Sequence, residues 1–166
     1  MLAWASSLIE YQKDIRDGKW GGFPHFAMIS QPLFELHGKK LGILGYGSIG
    51  KRVGELASAF GMEVLAGARP GAVYKDSKRI PLDELLQTCD AISIHTPLND
   101  STRNMIAARE LQMMKQGALL INAARGGIVN EKDLFEALAA DQIKAAIDVL
   151  SEEPPVNGNI LLDAPN

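Results

Sequence analysis

Lys40-Leu41-Gly42-Ile43-Leu44-Gly45-Tyr46-Gly47-Ser48-Ile49-Gly50 is the stretch that decides the fold of this 166-residue chain. It begins as a short apolar strand, and the apolar residues from Ile49 to Phe60 then recur at helical spacing. A second apolar run follows at residues 62–66. The pattern G-x-G-x-x-G between a strand and a helix, inside a strand–helix–strand unit of about 30 residues, indicates a dinucleotide-binding turn.

The three glycines of this turn have different predicted roles. Gly45 permits the tight turn, Gly47 lets the backbone approach a pyrophosphate, and Gly50 lets the helix pack closely on the strand. The helix N-terminus presents unpaired N–H groups and a partial positive charge to the phosphates. The predicted phosphate-binding residues are Gly45, Tyr46, Gly47, Ser48, Ile49 and Gly50.

Short apolar runs alternate with amphipathic helical segments over the rest of the chain. Further strands are predicted at residues 91–94, 118–121 and 143–149. Helices are predicted at residues 82–86, at 109–114 and after Asn130, where Asn130 and Asp133 resemble a capping box. Continuous apolar strands alternating with helices predict an α/β fold, a doubly wound parallel sheet of Rossmann type.

The N-terminal segment, residues 1–38, has a different character from the dinucleotide-binding domain predicted at residues 39–166. Leu2, Ala5, Leu8 and Ile9 predict one helix that stops at Asp17-Gly18. Residues 18–38 lose this periodicity but remain apolar, with Trp20, Phe23 and Phe26 among them. Such a segment either packs on its own domain or lies against another subunit or a further domain.

The composition argues against several classes of partner. The chain has 17 Lys and Arg against 20 Asp and Glu, a formal charge of −3, so no nucleic acid is expected. Cys89 is the single cysteine and there are three histidines, so we expect neither a disulfide nor a metal. No apolar run approaches the roughly 20 residues that span a bilayer, so we expect no membrane partner and a cytoplasmic location.

The residues after the second strand bear on the choice of dinucleotide. An NAD site usually has an Asp or Glu there, which binds the adenosine ribose. This chain has Ala68 at that position, followed by Arg69, with Lys75, Lys78 and Arg79 shortly afterwards. An arginine there could bind a 2′-phosphate in a bidentate manner, so NADP is predicted as the preferred cofactor, with NAD as the alternative.

Three longer stretches carry a family resemblance. They are residues 89–103, which include His95-Thr96-Pro97-Leu98; residues 114–131, which include Asn122-Ala123-Ala124-Arg125-Gly126; and residues 146–155, which include Asp148 and Glu153-Pro154-Pro155. Together they resemble the nucleotide-binding domain of the D-isomer-specific 2-hydroxyacid dehydrogenases. The ending Glu153 to Asn159 is similar to the glycerate dehydrogenase, or hydroxypyruvate reductase, branch.

The resemblance implies an NAD(P)-dependent oxidoreductase that transfers hydride between the nicotinamide and a small D-2-hydroxy or 2-keto acid. It implies that Arg125 holds the substrate carboxylate and carbonyl, and that Glu153 pairs with a catalytic histidine, with Glu152 as the adjacent alternative. Further cofactor contacts implied in this way are Thr96, Pro97, Leu98, Thr102, Ala123, Ala124, Arg125 and Asp148.

The same resemblance indicates what this sequence lacks. The family's catalytic histidine would follow the next strand, beyond Asn166, and His25, His37 and His95 do not match it. The substrate domain is also largely absent, so we expect cofactor binding without turnover. Members of the family dimerise through the N-terminal helix and arm, which implies a homodimer. The alternative function is a dinucleotide-sensing regulatory module of the same fold.

Overall fold

A five-stranded parallel sheet forms the centre of the protein in the computed structural model, which describes residues 1–68 and 79–165. Its strands are β1 (Lys40–Leu44), β2 (Glu63–Ala66), β3 (Ala91–Ile94), β4 (Ala118–Asn122) and β5 (Ile143–Ile147). The α-helices are α1 (Leu2–Ala5), α2 (Leu8–Arg16), α3 (Ser48–Ala59), α4 (Leu82–Thr88), α5 (Ala108–Met113) and α6 (Glu131–Ala139). Two short 3₁₀ helices lie at Lys19–Gly22 and Ile160–Asp163.

The strand order places a crevice beside the glycine turn. The strands run in the order β2-β1-β3-β4-β5, and every pairing between them is parallel. The chain leaves β1 for β2 on one side and then crosses back to β3 on the other. Ligands of open α/β sheets bind at such a switch point, outside the carboxyl ends of the strands. The expected doubly wound parallel sheet is therefore confirmed.

Both faces of the sheet are covered by helices. One face packs on α4, α5 and α6 through fully buried residues such as Leu85, Leu111 and Leu134. The opposite face packs on α1 and α3 through Ala5 and Ala57. Strands buried on two faces explain why the runs in the sequence are continuously apolar rather than alternating.

The N-terminal helix is interrupted, which the sequence did not predict. Ser7 adopts a left-handed backbone, with φ of 46°, and separates α1 from α2. Its hydroxyl donates a 2.6 Å hydrogen bond to the Pro32 carbonyl, and Phe34 N donates to the Ala5 carbonyl at 3.1 Å. The prediction of one continuous helix is wrong because these contacts from a distant segment fix the break.

Asp14 anchors the same segment to α2. Its buried carboxylate accepts hydrogen bonds from Lys19 Nζ at 2.5 Å and from Ser30 Oγ and Gln31 Nε2 at 2.9 Å. These bonds, led by that from Lys19, lower the pKa of Asp14 to about 2. The carboxylate is therefore charged at neutral pH, and residues 30–31 remain tied to the helix.

The remaining differences from the predicted elements are small. β5 ends at Ile147, so the predicted strand at residues 143–149 is two residues too long. Asn130 caps α6 by accepting a hydrogen bond from Asp133 N at 3.1 Å, as predicted. A capping box would also have the Asp133 carboxylate accept from Asn130 N. This part of the prediction is wrong, because the carboxylate accepts from Ala108 N, at the start of α5, at 2.9 Å.

Two further observations concern the interior and the helix lengths. Cys89 is 0% exposed, and burial raises the pKa of its thiol to about 11. Across residues 1–68 and 79–165, every helix is too short or too polar to pass through a lipid bilayer.

Candidate functional site

The glycine turn has the geometry that its pattern predicts. Gly45 has φ of 95°, and a Cβ there would lie 2.5–2.6 Å from backbone atoms of His95 and Thr96. A Cβ at Gly50 would overlap the Gly45 carbonyl oxygen and lie 3.1 Å from Ile43 Cγ2. Both positions therefore require glycine, the first for its backbone conformation and its neighbours and the second for the packing of α3 on β1.

Gly47 differs from the other two glycines because it faces open space. Within residues 1–68 and 79–165, and leaving aside Gly47 and its two chain neighbours, no atom lies within 4 Å of a Cβ built there. Its φ of −83° is available to any residue. Gly47 immediately precedes α3, a 12-residue helix that begins at Ser48. An unfilled approach to the amides of a helix N-terminus fits the pyrophosphate of a dinucleotide.

The end of β2 lies next to this turn. Ala68 N donates to the Ile80 carbonyl at 2.8 Å, so Arg79 is brought back to the same edge. The Arg79 guanidinium carbon is 5.2 Å from the centre of the Tyr46 ring. Arg69, Lys75 and Lys78, which the sequence proposes for 2′-phosphate binding, lie outside the described residues.

His95 follows β3 and is held by a buried serine. Its Nε2 lies 2.9 Å from Ser93 Oγ, and its backbone N donates to the Leu44 carbonyl at 2.6 Å. Burial lowers the pKa of the imidazole, so the ring is neutral at neutral pH. A neutral imidazole ring held in this way is better suited to lining the crevice than to acting as a proton donor.

Thr102 stabilises the loop that follows His95. Its buried hydroxyl donates to the Pro97 carbonyl at 2.8 Å and accepts from Asn99 N at 2.8 Å. The hydroxyl is thus engaged by backbone groups of the loop, which holds Pro97 and Leu98 in place. A direct contact between Thr102 and the cofactor remains a prediction.

Asn122 organises the turn that carries Arg125. This amide is 2% exposed; its Nδ2 donates to the Arg125 carbonyl at 3.0 Å, and its Oδ1 accepts from Ala124 N at 3.1 Å. The Arg125 side chain is exposed and donates to the Ala124 carbonyl at 2.7 Å. The sequence signal for Asn122 is a polar residue at the end of the apolar run of β4, which our sequence analysis did not use.

The loops after β3 and β4 and the start of α3 enclose one cleft. Its volume is about 290 Å³, and it lies at the switch point between β1 and β3. The lining residues are Ile49, His95, Thr96, Pro97, Ala123, Ala124 and Arg125. Six of the seven are predicted site residues, and His95 is the additional one.

Asp148 and Glu153 lie in the neighbouring loop after β5. Both line a second pocket of about 400 Å³ rather than the cleft with Arg125. The Glu153 carboxylate accepts a 2.8 Å hydrogen bond from Leu150 N. The carboxylate of the alternative residue, Glu152, is bonded instead by Asn157 Nδ2, at 3.1 Å to its nearer oxygen.

Gly126 joins the two loops. A Cβ at this position would overlap the carbonyl group of Leu150 and lie 2.6 Å from Ser151 N. The backbone after Arg125 is therefore in direct contact with the backbone before Glu153. Although Arg125 and Glu153 line different pockets, the two loops are fixed relative to each other.

Comparison with known proteins identifies the family of this site. The profile of the D-isomer specific 2-hydroxyacid dehydrogenase, NAD binding domain, matches residues 1–166. A glycerate dehydrogenase of Methylorubrum extorquens is 40% identical over 165 residues, covering 99% of this chain and 51% of that protein. A hydroxypyruvate reductase of Blautia hydrogenotrophica is 38% identical over 156 residues, covering 92% and 48%.

A solved structure gives the same result. The NAD-dependent formate dehydrogenase of Staphylococcus aureus, in complex with NAD, superposes with a TM-score of 0.84 at 31% identity, covering 99% of this chain and 49% of that one. The chain thus spans about half the length of the curated relatives that it matches.

Proposed function

Because this chain belongs to the NAD-binding domain family of the D-isomer-specific 2-hydroxyacid dehydrogenases, we propose that it is the cofactor-binding half of an oxidoreductase acting on small D-2-hydroxy and 2-keto acids. The proposed substrates are of the glycerate, hydroxypyruvate or glyoxylate type, as in the names of similar proteins. The observation that carries the proposal is the cleft between the glycine turn and Arg125.

The proposed roles follow from what each group offers. A bound nicotinamide would supply or accept the hydride. The amides at the start of α3 would hold the pyrophosphate, with Gly47 leaving room for it. The Arg125 guanidinium would bind the planar carboxylate and carbonyl of a 2-keto acid, for which its fork of donors is suited.

Glu153 is proposed to support the proton-transfer group. A carboxylate beside a histidine favours the imidazolium and raises its pKa towards that of a proton donor. None of the three histidines of this chain matches the family's catalytic position, so the partner of Glu153 would lie outside these 166 residues. Glu153 is proposed for this role in preference to Glu152 because Glu153 lines the same pocket as Asp148.

We expect the 166-residue chain to bind a nicotinamide dinucleotide with measurable heat but to show no reduction of hydroxypyruvate or glyoxylate at an enzymatic rate. The cleft is built from this chain, whereas the acid/base group is not. Calorimetry measures the binding, and loss of NADPH or NADH absorbance measures turnover. Steady turnover at an ordinary enzymatic rate would contradict the proposed division of roles.

The cofactor is proposed to be NADP rather than NAD. Ala68 leaves no carboxylate to repel a 2′-phosphate at the end of β2, and Arg79 adds positive charge next to Tyr46. Arg69 is the proposed direct ligand of that phosphate. Arg69→Ala should therefore weaken NADPH binding about tenfold, about 1.4 kcal/mol, while NADH binding stays within about twofold.

The control for this experiment removes an arginine elsewhere. Arg52→Ala, on the exposed side of α3 where Arg52 pairs with Glu55, should alter neither affinity by more than about twofold. Equal dissociation constants for NADPH and NADH in both the wild type and Arg69→Ala would end the proposed preference for NADP.

A homodimer is proposed through the N-terminal segment. Ile9, Phe26 and Ile29 are 67%, 97% and 71% exposed, although all are large and apolar. Tyr11, Ile15, Trp20 and Phe26 line a shallow groove on this surface. The bonds of Asp14 hold the segment in a defined shape, and aromatic side chains are enriched at interface cores.

We expect sedimentation to show a dimer at micromolar concentration and Phe26→Glu to give a monomer, because a charge would be buried at the proposed interface. Val156→Glu is the matched control, since Val156 is also 75% exposed but lies near the C-terminus. A wild-type chain that sediments only as a monomer would contradict the dimer.

The second candidate function is a dinucleotide-sensing regulatory module, since the fold and the glycine turn serve such a module equally well. Arg125 and Glu153 favour the enzyme, because a sensor requires neither a substrate-binding guanidinium nor a partner for a histidine. The reducing cytoplasm is the proposed location, in keeping with the single thiol, Cys89.

A further inference from the structure

The carboxylate of Glu131 bonds both ends of the segment that carries Glu153. Glu131 Oε1 accepts a hydrogen bond from Ser151 N at 2.6 Å. Its Oε2 accepts from Ser151 Oγ at 2.7 Å and from Asn159 Nδ2 at 2.8 Å. Since Ser151 and Asn159 lie on either side of Glu153 in the chain, one side chain on α6 fixes the beginning and the end of this loop.

The bond made by Glu153 depends on the same piece of backbone. Its carboxylate accepts from Leu150 N, and Glu131 accepts from the next amide, Ser151 N. A rotation of the backbone at residues 150–151 would alter both bonds. Hydrogen bonds to an ionised carboxylate are roughly twice as strong as neutral ones, and Glu131 lies in the first turn of α6, where the helix dipole stabilises its charge.

We propose that Glu131 is a positioning residue, which holds the Glu153 carboxylate in place through Ser151 and Asn159. The inference rests on the proposed function, since Glu153 needs a fixed position only if it pairs with an acid/base group. Glu131 does not line the cleft that contains Arg125, and its hydrogen bonds reach the loop after β5.

The Leu150 amide proton reports this arrangement in NMR spectra of the 166-residue chain. Its hydrogen exchange at neutral pH should be slow, because the amide donates to the Glu153 carboxylate, and Glu153→Ala should raise the exchange rate about tenfold. Glu131→Ala should raise this rate to the same extent. Glu136→Gln, on an exposed position of the same helix, should leave it unchanged.

A reversal of donor and acceptor provides a sharper test than deletion. Glu131→Gln places an amide donor opposite the Asn159 amide, and Asn159→Asp places two carboxylates together. The double variant restores a donor–acceptor pair with the roles exchanged, while the new aspartate can still accept from Leu161 N, as Asn159 does at 2.9 Å. We expect each single variant to show the faster exchange at the Leu150 amide and the double variant to regain the slow exchange of the wild type.

The possible outcomes separate this inference from the proposed function. If the Leu150 amide exchanges at the wild-type rate in Glu131→Ala, or as fast in the double variant as in the single ones, Glu131 does not position Glu153. If Glu131→Ala fails to fold, core amides such as that of Leu120 will lose their protection from exchange. The variants Glu131→Gln and Asn159→Asp, alone and combined, then decide whether Glu131 positions Glu153. Calorimetry tests the cofactor binding of the proposed function separately, because the variants of Glu131 and Asn159 should keep the wild-type affinity for dinucleotide.

Discussion

Gly50→Ala is expected to lower the free energy of unfolding by about 1–3 kcal/mol and to remove measurable binding of NADH and NADPH. The added Cβ would overlap the Gly45 carbonyl oxygen, which is backbone and cannot rotate away as a flexible side chain can. α3 would be displaced from β1, and the amides at its N-terminus would leave the turn. Urea denaturation measures the first effect and calorimetry the second.

Gly47→Ala is the matched variant, because it adds the same methyl group three residues earlier in open space. Its stability should stay within about 0.5 kcal/mol of the wild type, as for a surface substitution. Its affinity for either dinucleotide should nevertheless fall at least about tenfold, since the methyl group occupies the approach of the pyrophosphate. Wild-type affinity in Gly47→Ala would show that the turn does not bind the phosphates.

Gly126→Ala should separate the two loops that carry Arg125 and Glu153. The new Cβ would overlap the Leu150 carbonyl, so one backbone segment must move, at an expected cost of about 1–3 kcal/mol. The hydrogen bond from Leu150 N to Glu153 should be lost with this movement. Denaturation gives the stability, and hydrogen exchange at the Leu150 and Ser151 amides gives the displacement.

A control for Gly126→Ala is available in the N-terminal segment. Apart from its chain neighbours, Gly22 has no atom of the described part of the chain within 4 Å of an added Cβ. Gly22→Ala should therefore leave the stability and the exchange at Leu150 unchanged. The Gly126 variant should also keep its ordered glycine turn, which follows β1 rather than β4. If Gly126→Ala retains wild-type stability and exchange, the close approach of the two loops is wrong.

The features predicted correctly from sequence depend on neighbours in the chain. Gly45 and Gly50 stand between a strand and a helix. The positive φ of Gly45 and the contact of Gly50 with the Gly45 carbonyl arise within the same turn, whereas the contact of Gly45 with His95 and Thr96 does not. Apolar runs such as β3 show burial on both faces directly in their composition. The roles of Arg125 and Glu153 come from the family resemblance and stay predictions, because periodicity alone does not distinguish these two from surface residues.

The features missed from sequence depend on partners far along the chain. The break at Ser7 is fixed by Pro32, 25 residues away, and Glu131 bonds Ser151 and Asn159, which are 20 and 28 residues away. Asp133 looks like a cap for its own helix but bonds Ala108, 25 residues earlier. Such pairings follow from the tertiary fold, which no local pattern contains.

The buried Cys89 allows local opening of the folded protein to be measured by chemical labelling. A maleimide or disulfide reagent attacks the thiolate, which is scarce in the folded protein because the pKa of the thiol is raised to about 11 and the sulfur is shielded from solvent. Modification therefore requires a local opening in which α4 separates from β1. Because Cys89 is the only thiol in the sequence, the labelling rate of a variant measures how often α4 separates from β1, and no further cysteine has to be introduced.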